Sequence, residues 1–390
     1  ATLSALRLLS ASPRVMQPPA SAAASDPSLR APSPVPHSPL RAAGAALYYI
    51  AASVLLTLSN KSLLAWYAFP FPLILLLAQM ATTLGVLTVL FAVGLAAPPP
   101  VDPDNNNNVL GSGGRVAVVV RALGPLAAAY VATLSTSLLA MRLTSLLLYN
   151  TLRRTSILFV LALELRLGDG RDAAPSRSAV AAVLVVLAGA LATARFDAAA
   201  APAAYGFALA ANLSGAAYLW LIRRAARDPP TGGWRSHQIL FAVTALAAPG
   251  VAAVAAAAAP PGAGYVAGLR AWWTIAAERG AGAGVGVAVA MSVTLASVVT
   301  HATYVNTGTN SPLTQAVSAQ MKDVVLLVVS ATGVMEGFGS AAPSARAVVS
   351  GVVCALGGGA YAAVKLREAG ERRRLEGGGG VPGKGDAQVS

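Results

Sequence analysis

The sequence predicts an all-α membrane protein with ten transmembrane helices. Charged residues make up only 11 % of the 390 residues and hydrophobic residues 56 %, whereas a soluble globular domain carries about 25 % charge. The mean hydropathy is +0.63, and apolar runs long enough to cross a bilayer, which takes roughly 20 residues, follow one another along most of the chain. The net charge of +13 does not indicate nucleic-acid binding, because most basic residues lie in short loops and tails.

Composition divides the chain into three parts. Residues 1–41 are rich in Ala, Ser and Pro and predict a disordered N-terminal tail, although their Arg and Ser content also resembles an organellar transit peptide. Residues 42–366 hold the apolar segments and form the predicted membrane domain. Residues 367–390 are charged and then Gly-rich, which predicts a disordered cytosolic C-terminal tail.

The apolar segments are separated by polar or Pro/Gly-containing connections. They cover residues 42–65, 71–95, 117–140, 143–165, 178–194, 203–223, 237–258, 284–307, 312–333 and 345–366. The seventh and eighth segments are joined by a longer linker around Pro260, Pro261 and Gly262. With ten crossings, most Lys and Arg residues fall on the cytosolic side if both termini are cytosolic, as the positive-inside rule requires.

The fourth segment contains two adjacent arginines, Arg153 and Arg154. Each costs roughly 2.5–3.5 kcal/mol on insertion into a bilayer, so we expect the pair to face protein, water or an anion. The ninth segment carries Lys322 at a similar depth. Because the fourth and ninth segments are counterparts in a chain of two five-helix halves, this pattern predicts two inverted repeats with a ligand site near the middle of the membrane.

Polar residues at helical spacing extend this cationic site. Cations suit a phosphate or diphosphate, because guanidinium and ammonium groups donate charge-assisted hydrogen bonds to phosphate oxygens. Amides and phenols suit a sugar or a base. The predicted substrate-binding residues are Lys61, Tyr149, Arg153, Arg154, Asn212, Tyr304, Asn306, Gln315, Ser318 and Lys322.

Structural roles remain open for several of these residues. Lys61 can extend its ammonium group to the membrane surface, and Tyr149 can anchor its helix at the interface. Either arginine of the fourth segment can pair with Asp323 or Glu164, and Asp323 can neutralise Lys322.

Features typical of an enzyme are missing from the sequence. The three histidines, His37, His237 and His301, are too scattered to predict a metal cluster. The Gly-rich pieces lack the strand, loop and helix context of a phosphate-binding loop. We therefore expect a non-enzyme that uses no metal and no cofactor.

Several motifs resemble the nucleotide-sugar transporter and triose-phosphate translocator family of the drug/metabolite transporter superfamily. They lie at residues 60–64 (NKSLL), 69–72 (FPFP) with Gln79, 151–159 (TLRRTSILF) with Glu164, 205–206 (YG) with Asn212 and Tyr218, 304–307 (YVNT), 310–315 (NSPLTQ) and 321–323 (MKD). The match covers about 42–366, and the motif of the fourth segment is similar to that of the UDP-sugar transporter branch. Residues 318–322 keep only the Ala and Lys of the "GALNK"-type stretch of relatives, and the asparagines that relatives carry near the position of Phe241 are absent.

The resemblance implies the drug/metabolite transporter fold and an antiporter. Such a protein would bring a UDP-sugar, such as UDP-N-acetylglucosamine, into the lumen of the Golgi or endoplasmic reticulum in exchange for UMP. Arg153 or Arg154 would attract the diphosphate together with Lys322. The partners implied are a nucleotide-sugar, a nucleoside monophosphate and the lipid bilayer, with a homodimer left open and no nucleic acid. The departures from the family pattern argue against GDP-mannose and leave the sugar open.

Two other functions remain as alternatives. A plastid-envelope sugar-phosphate/phosphate translocator is favoured by the transit-like start, but members of that branch commonly have Lys-Arg where this chain has Lys322 and Asp323. A non-transporting membrane scaffold would pair all of its buried charges. The resemblance favours a multi-pass protein of the Golgi membrane.

Overall fold

The computed structural model describes ten stretches of the chain. These are residues 39–63, 67–99, 112–143, 152–167, 175–192, 202–227, 229–259, 264–278, 282–331 and 345–377. All regular secondary structure in these ranges is helical. Nearly all of the predicted N-terminal tail (1–38) and residues 378–390 of the predicted C-terminal tail lie outside the described residues, so the predicted division into tail, membrane domain and tail stays a prediction.

The described residues form eleven helices, which we number in chain order. They are α1 (Pro39–Lys61), α2 (Pro72–Ala92), α3 (Ser112–Leu143), α4 (Ser156–Leu167), α5 (Arg177–Ala192), α6 (Pro202–Ala225), α7 (Ser236–Ala257), α8 (Gly264–Glu278), α9 (Gly282–Thr309), α10 (Pro312–Ala331) and α11 (Ala345–Gly377). All except α8 coincide with a predicted apolar segment. The α4 helix is shorter than its segment, because residues 144–151 lie outside the described residues and a turn at Thr155 precedes the helix.

The linker predicted between the seventh and eighth segments contains a helix, α8. The sequence does not predict this helix, because Pro260, Pro261 and Gly262 are typical of an irregular connection. The helix begins only after these residues, at Gly264. It ends at Glu278 and is shorter than a membrane span.

Seven helices are long and apolar enough to cross a membrane: α1, α2, α3, α6, α7, α9 and α11. The prediction of an all-α membrane protein is therefore confirmed for the described residues, whereas ten crossings are not. The described parts of α4 and α5 span only 12 and 16 residues. The α10 helix has 20 residues, but Lys322 and Asp323 lower its hydropathy.

Proline sets the start of four helices. Pro39, Pro72, Pro202 and Pro312 each occupy the first residue of a helix, where the missing N–H would have no partner within the helix and the fixed φ angle suits the helical turn. The connections between the segments therefore determine where these helices begin.

The last helix is longer than its apolar segment. The α11 helix continues beyond residue 366, where the predicted tail begins, as far as Gly377. This extension contains good helix formers and an ion pair one turn apart, Arg367 Nε to Glu371 Oε1 at 3.2 Å. Part of the predicted C-terminal tail is therefore helical.

The most extensive helix contacts are those between α5 and α11, between α3 and α6, and between α1 and α9. The α5 and α11 helices approach closely through glycine. A Cβ atom on Gly357 would lie only 2.7 Å from the backbone nitrogen of Val186, and one on Gly189 only 2.8 Å from that of Cys354. Small residues at such crossings are typical of helix packing in membranes.

Candidate functional site

A cavity of about 580 Å³ opens at one end of the helix bundle. It lies between the first half of α1, the C-terminal ends of α4 and α6, the junction of α9 with α10, and α11. We call it the basic cavity, after four cationic side chains that the described part of its wall contains: Arg223, Arg224, Arg227 and Lys365. Its volume falls within the range of about 300–1,000 Å³ that small-molecule sites occupy.

Two of the cationic side chains are oriented by nearby groups. Arg223 donates from Nη1 to the carbonyl oxygen of Thr307 at 3.2 Å. The Arg224 guanidinium lies 5.4 Å from the centre of the Trp220 ring, which is within the range of a cation–π interaction. These contacts hold positive charge at the wall of the cavity.

Two carboxylates share the cavity wall with the four cations. Glu368 Oε2 lies 3.2 Å from Lys365 Nζ. Glu164 Oε1 accepts a hydrogen bond from the backbone N–H of Leu313 at 2.9 Å. Among the described residues the lining therefore carries an excess of positive charge, which favours an anionic ligand.

The floor of the basic cavity adjoins a buried cluster of amides and hydroxyls. Asn306 Nδ2 donates to Gln315 Oε1 at 2.5 Å and lies 3.4 Å from Ser318 Oγ. Asn310 Nδ2 donates to Asn306 Oδ1 at 2.6 Å. Ser318 and Asn310 line the cavity, while Asn306 and Gln315 lie behind them and are buried. The structure thus brings three predicted site residues, Asn306, Gln315 and Ser318, together at one place.

A second group of predicted residues lies between α10 and the start of α4. Asp323 forms an ion pair with each of two cations: Oδ1 lies 3.5 Å from Lys322 Nζ, and Oδ2 lies 3.9 Å from Arg154 Nε. All three side chains are partly exposed, and Arg153 is exposed. The pairing that the sequence left open is therefore with Asp323 rather than with Glu164. None of these residues lines the basic cavity, although Met321 does.

Asn212 holds the start of α4 in place. Its amide nitrogen donates to the carbonyl oxygen of Leu152 at 2.7 Å and to Thr155 Oγ1 at 2.9 Å. Both amide hydrogens of this buried residue are thus directed at the turn before α4. In this structure Asn212 connects α6 to α4 and does not face the basic cavity.

Tyr304 belongs to a buried aromatic cluster. Its ring centroid lies 6.3 Å from that of Tyr218, which stacks on Tyr130 at 5.1 Å. Tyr304 is 2 % exposed and is not part of the cavity lining. Tyr149 and the side chain of Lys61 lie outside the described residues.

The sequence does not predict the cationic wall of the basic cavity. The positive-inside rule assigns Arg223, Arg224, Arg227 and Lys365 to cytosolic loops and tails, because it accounts for basic residues at helix ends. A signal was nevertheless present. Two of the arginines stand directly at the end of an apolar segment (203–223), so a helix only slightly longer than predicted places them against neighbouring helices.

A second missed group is a polar network at the other end of α1. Asn60 Oδ1 accepts from Ser292 Oγ at 2.6 Å, and Gln79 Nε2 donates to Ser292 Oγ at 3.1 Å. It joins α1, α2 and α9. The family pattern at the start of the chain includes both Asn60 and Gln79, but nothing in the spacing indicates that Ser292 completes the network.

Comparison with known proteins agrees with the resemblance seen in the motifs. A UDP-N-acetylglucosamine transporter of Arabidopsis thaliana is 31 % identical over 191 residues, which are 48 % of this chain and 53 % of that protein. The chain thus spans about half the length of this curated relative. The relative is a transporter and not an enzyme, which is consistent with the expectation that this chain is a non-enzyme. It also supports the resemblance to nucleotide-sugar transporters.

Two further comparisons concern family models and solved structures. No family model matches the chain. A solved structure entitled only "Crystal structure of protein" aligns with a TM-score of 0.54 and 19 % identity, over 82 % of this chain and 98 % of that chain. A likeness at this identity concerns the fold alone.

Proposed function

We propose that the chain exchanges a UDP-sugar, such as UDP-N-acetylglucosamine, for UMP across the membrane of the Golgi or endoplasmic reticulum. The observation that carries this proposal is the basic cavity, whose wall holds four cations and whose floor contains Ser318, a residue that the sequence assigned to the site. The similarity to a UDP-N-acetylglucosamine transporter over 191 residues supports the class of substrate.

The cavity suits the chemistry of a nucleotide-sugar. A diphosphate needs cationic donors, which Arg223, Arg224 and Arg227 supply at the cavity wall. Sugar hydroxyls and the uracil need neutral donors and acceptors, which Asn310 and Ser318 supply at the floor. The diphosphate then moves from the cavity toward Lys322 and Arg154, which form ion pairs with Asp323.

The pattern of helix contacts supports ten helices in two inverted repeats. The repeat exchanges α1 with α6, α2 with α7, α3 with α9, α4 with α10 and α5 with α11. Under this exchange three contacts of one half have a counterpart in the other. The contact of α1 with α9 corresponds to that of α6 with α3, and the contact of α3 with α7 corresponds to that of α9 with α2. The contact of α4 with α6 corresponds to that of α10 with α1. All six contacts are present. With the five crossings that the sequence predicts for each half, the second half would be inverted relative to the first.

Exchange follows from the charge of the site. An empty cationic site resists reorientation through the bilayer, whereas a bound nucleotide-sugar or UMP neutralises it. The two halves would rock around the site and open it to either side in turn. The proposal also includes six other predicted binding residues, as groups that contact or support the site: Lys61, Tyr149, Asn212, Tyr304, Asn306 and Gln315. It further includes a homodimer and residence in the Golgi membrane.

Uptake by reconstituted protein tests the proposal. Liposomes that contain the purified chain are loaded with UMP and offered labelled UDP-sugars, GDP-mannose and triose phosphate. We expect uptake of a UDP-sugar that depends on internal UMP and is absent from protein-free liposomes. Uptake of triose phosphate alone, from phosphate-loaded vesicles, would favour the plastid translocator. No uptake by protein that retains its thermal unfolding transition would contradict transport.

A tagged copy tests the location separately. We expect the native N-terminus with a C-terminal tag to direct the protein to Golgi membranes. A signal confined to the plastid envelope would contradict this part of the proposal without affecting the class of substrate.

A further inference from the structure

The α8 helix lies at the end of the bundle opposite the basic cavity. It connects α7 to α9, two helices long enough to cross a membrane, and Tyr265 Oη donates to the carbonyl oxygen of Ala255 near the end of α7 at 2.7 Å. The far end of α9, at Thr309, lines the basic cavity. With 15 residues, α8 is roughly 22 Å long and cannot span the hydrocarbon core. It therefore lies at the membrane surface or projects from it.

One face of α8 packs on the connection between α1 and α2. The rings of Trp272 and Phe69 meet edge to face, with centroids 4.9 Å apart, and those of Tyr265 and Phe71 do so at 5.2 Å. Trp272 Nε1 also donates to the carbonyl oxygen of Tyr67 at 2.7 Å. These contacts fix the rotation of α8 about its own axis, so the directions of its other two faces are determined.

The second face of α8 is apolar and exposed. Val266 is 65 % exposed and Trp273 is 48 % exposed. Arg270, also exposed, stands one turn from each of them on the same face. The third face carries small or polar side chains, namely Ala267, Ala271, Thr274 and Glu278, and Ile275, 47 % exposed, lies between this face and the packed one.

We propose that α8 lies in the headgroup region of the bilayer, in the leaflet opposite the basic cavity, with Val266 and Trp273 against the lipid. Tryptophan is enriched at membrane interfaces, where its apolar ring and its N–H both find suitable surroundings. An amphipathic helix of this kind buries its apolar face at the boundary between headgroups and acyl chains. Arg270 then extends its guanidinium to the lipid phosphates, and Thr274 and Glu278 face water.

The attachment of α8 at both ends supports lipid as the occupant. Only residues 258–263 and 279–281 separate α8 from α7 and α9, so it remains close to the level at which these helices leave the membrane. At this level the lipid headgroups surround the bundle, so lipid is next to the exposed face. A soluble protein partner would need to displace the headgroups to reach it.

Site-directed spin labelling in liposomes tests this placement. In a Cys354→Ala background, labels are attached to Val266→Cys and Trp273→Cys, with Ala271→Cys and Thr274→Cys as matched controls on the third face. We expect labels at 266 and 273 to collide severalfold more often with oxygen, which concentrates in lipid, than with a water-soluble nickel chelate. Labels at 271 and 274 should show the reverse.

Two results would overturn the proposal. If all four labels favour the nickel chelate, the face is in water. If labels at 266 and 273 collide with neither reagent, protein covers the face.

A second measurement uses only one substitution. The fluorescence of the wild-type protein in liposomes with brominated acyl chains is compared with that of Trp273→Phe. The wild-type protein should lose more emission on bromination than the variant does, and equal losses would contradict lipid contact by Trp273.

Discussion

The carboxylate of Glu164 accepts a hydrogen bond from the backbone N–H of Leu313, with an oxygen to nitrogen distance of 2.9 Å. This N–H belongs to the first turn of α10, whose donors have no partner within the helix. Ser311 Oγ accepts from the N–H of Thr314 in the same turn at 3.1 Å. The end of α4 is thereby attached to the start of α10 at the wall of the basic cavity.

Replacing Glu164 should therefore destabilise the contact between α4 and α10. Glu164→Ala leaves the N–H of Leu313 without its acceptor, and we expect the free energy of unfolding to fall by about 1–3 kcal/mol. Glu164→Gln retains an oxygen acceptor and should lose less. Thermal unfolding in detergent measures both variants. The control is Glu371→Ala, which removes an exposed carboxylate from α11, and an unfolding temperature of Glu164→Ala equal to that of this control would contradict a structural role.

The basic cavity predicts a separate effect on substrate binding. Arg224→Gln removes one of the cations of the wall, and we expect the KM for the nucleotide-sugar to rise roughly tenfold, equal to about 1.4 kcal/mol, with little change in the maximal rate. Arg224→Lys keeps the charge and should raise KM less. Uptake at several substrate concentrations measures the effect.

A matched control for this variant is Arg177→Gln. Arg177 is exposed at the start of α5 and is not part of the cavity lining, so its KM should equal that of the wild type. An equal rise of KM in both variants would indicate a general effect of charge near the membrane rather than binding in the cavity.

The extent of the helices could be predicted because the membrane enforces it. Apolar length predicts the ends of α1, α2, α6 and α10 to within about four residues, since each helix must satisfy its own backbone in lipid. The α8 helix escaped prediction because it does not need to cross the membrane. Its aromatic residues contact residues 67–71 only in the folded chain, and no sequence pattern indicates those contacts.

The candidate site could be predicted only in part, for a physical reason. Asn306, Gln315 and Ser318 lie on two helices joined by a short connection, so helical spacing already places them near one another. The basic cavity joins charges from α6 and α11, which are far apart in sequence. Their proximity depends on how the helices between them pack, and no local pattern records that packing.

The pairing of Lys322 with Asp323 allows transport to be separated from folding. In Lys322→Ala, Asp323 keeps Arg154 as a partner at 3.9 Å, so the fold should remain stable. We expect exchange to be abolished while the protein still reaches the membrane, because the diphosphate loses a cation. Lys322→Arg should retain part of the activity. Exchange at the wild-type rate in Lys322→Ala would remove Lys322 from the site.

The crossing of α5 and α11 provides a test of the packing itself. A Cβ atom on Gly357 would lie 2.7 Å from the backbone nitrogen of Val186 in α5, whereas one on Gly359 would have no atom within 4 Å. Alanine favours the helix over glycine by about 1 kcal/mol at either position, but overpacking typically costs about 1–3 kcal/mol. We therefore expect Gly357→Ala to lower the temperature of unfolding and Gly359→Ala to leave it unchanged or raise it slightly. Because the two substitutions are chemically identical and lie two residues apart in one helix, an equal effect of both would mean that α5 and α11 do not approach as closely as the structure shows.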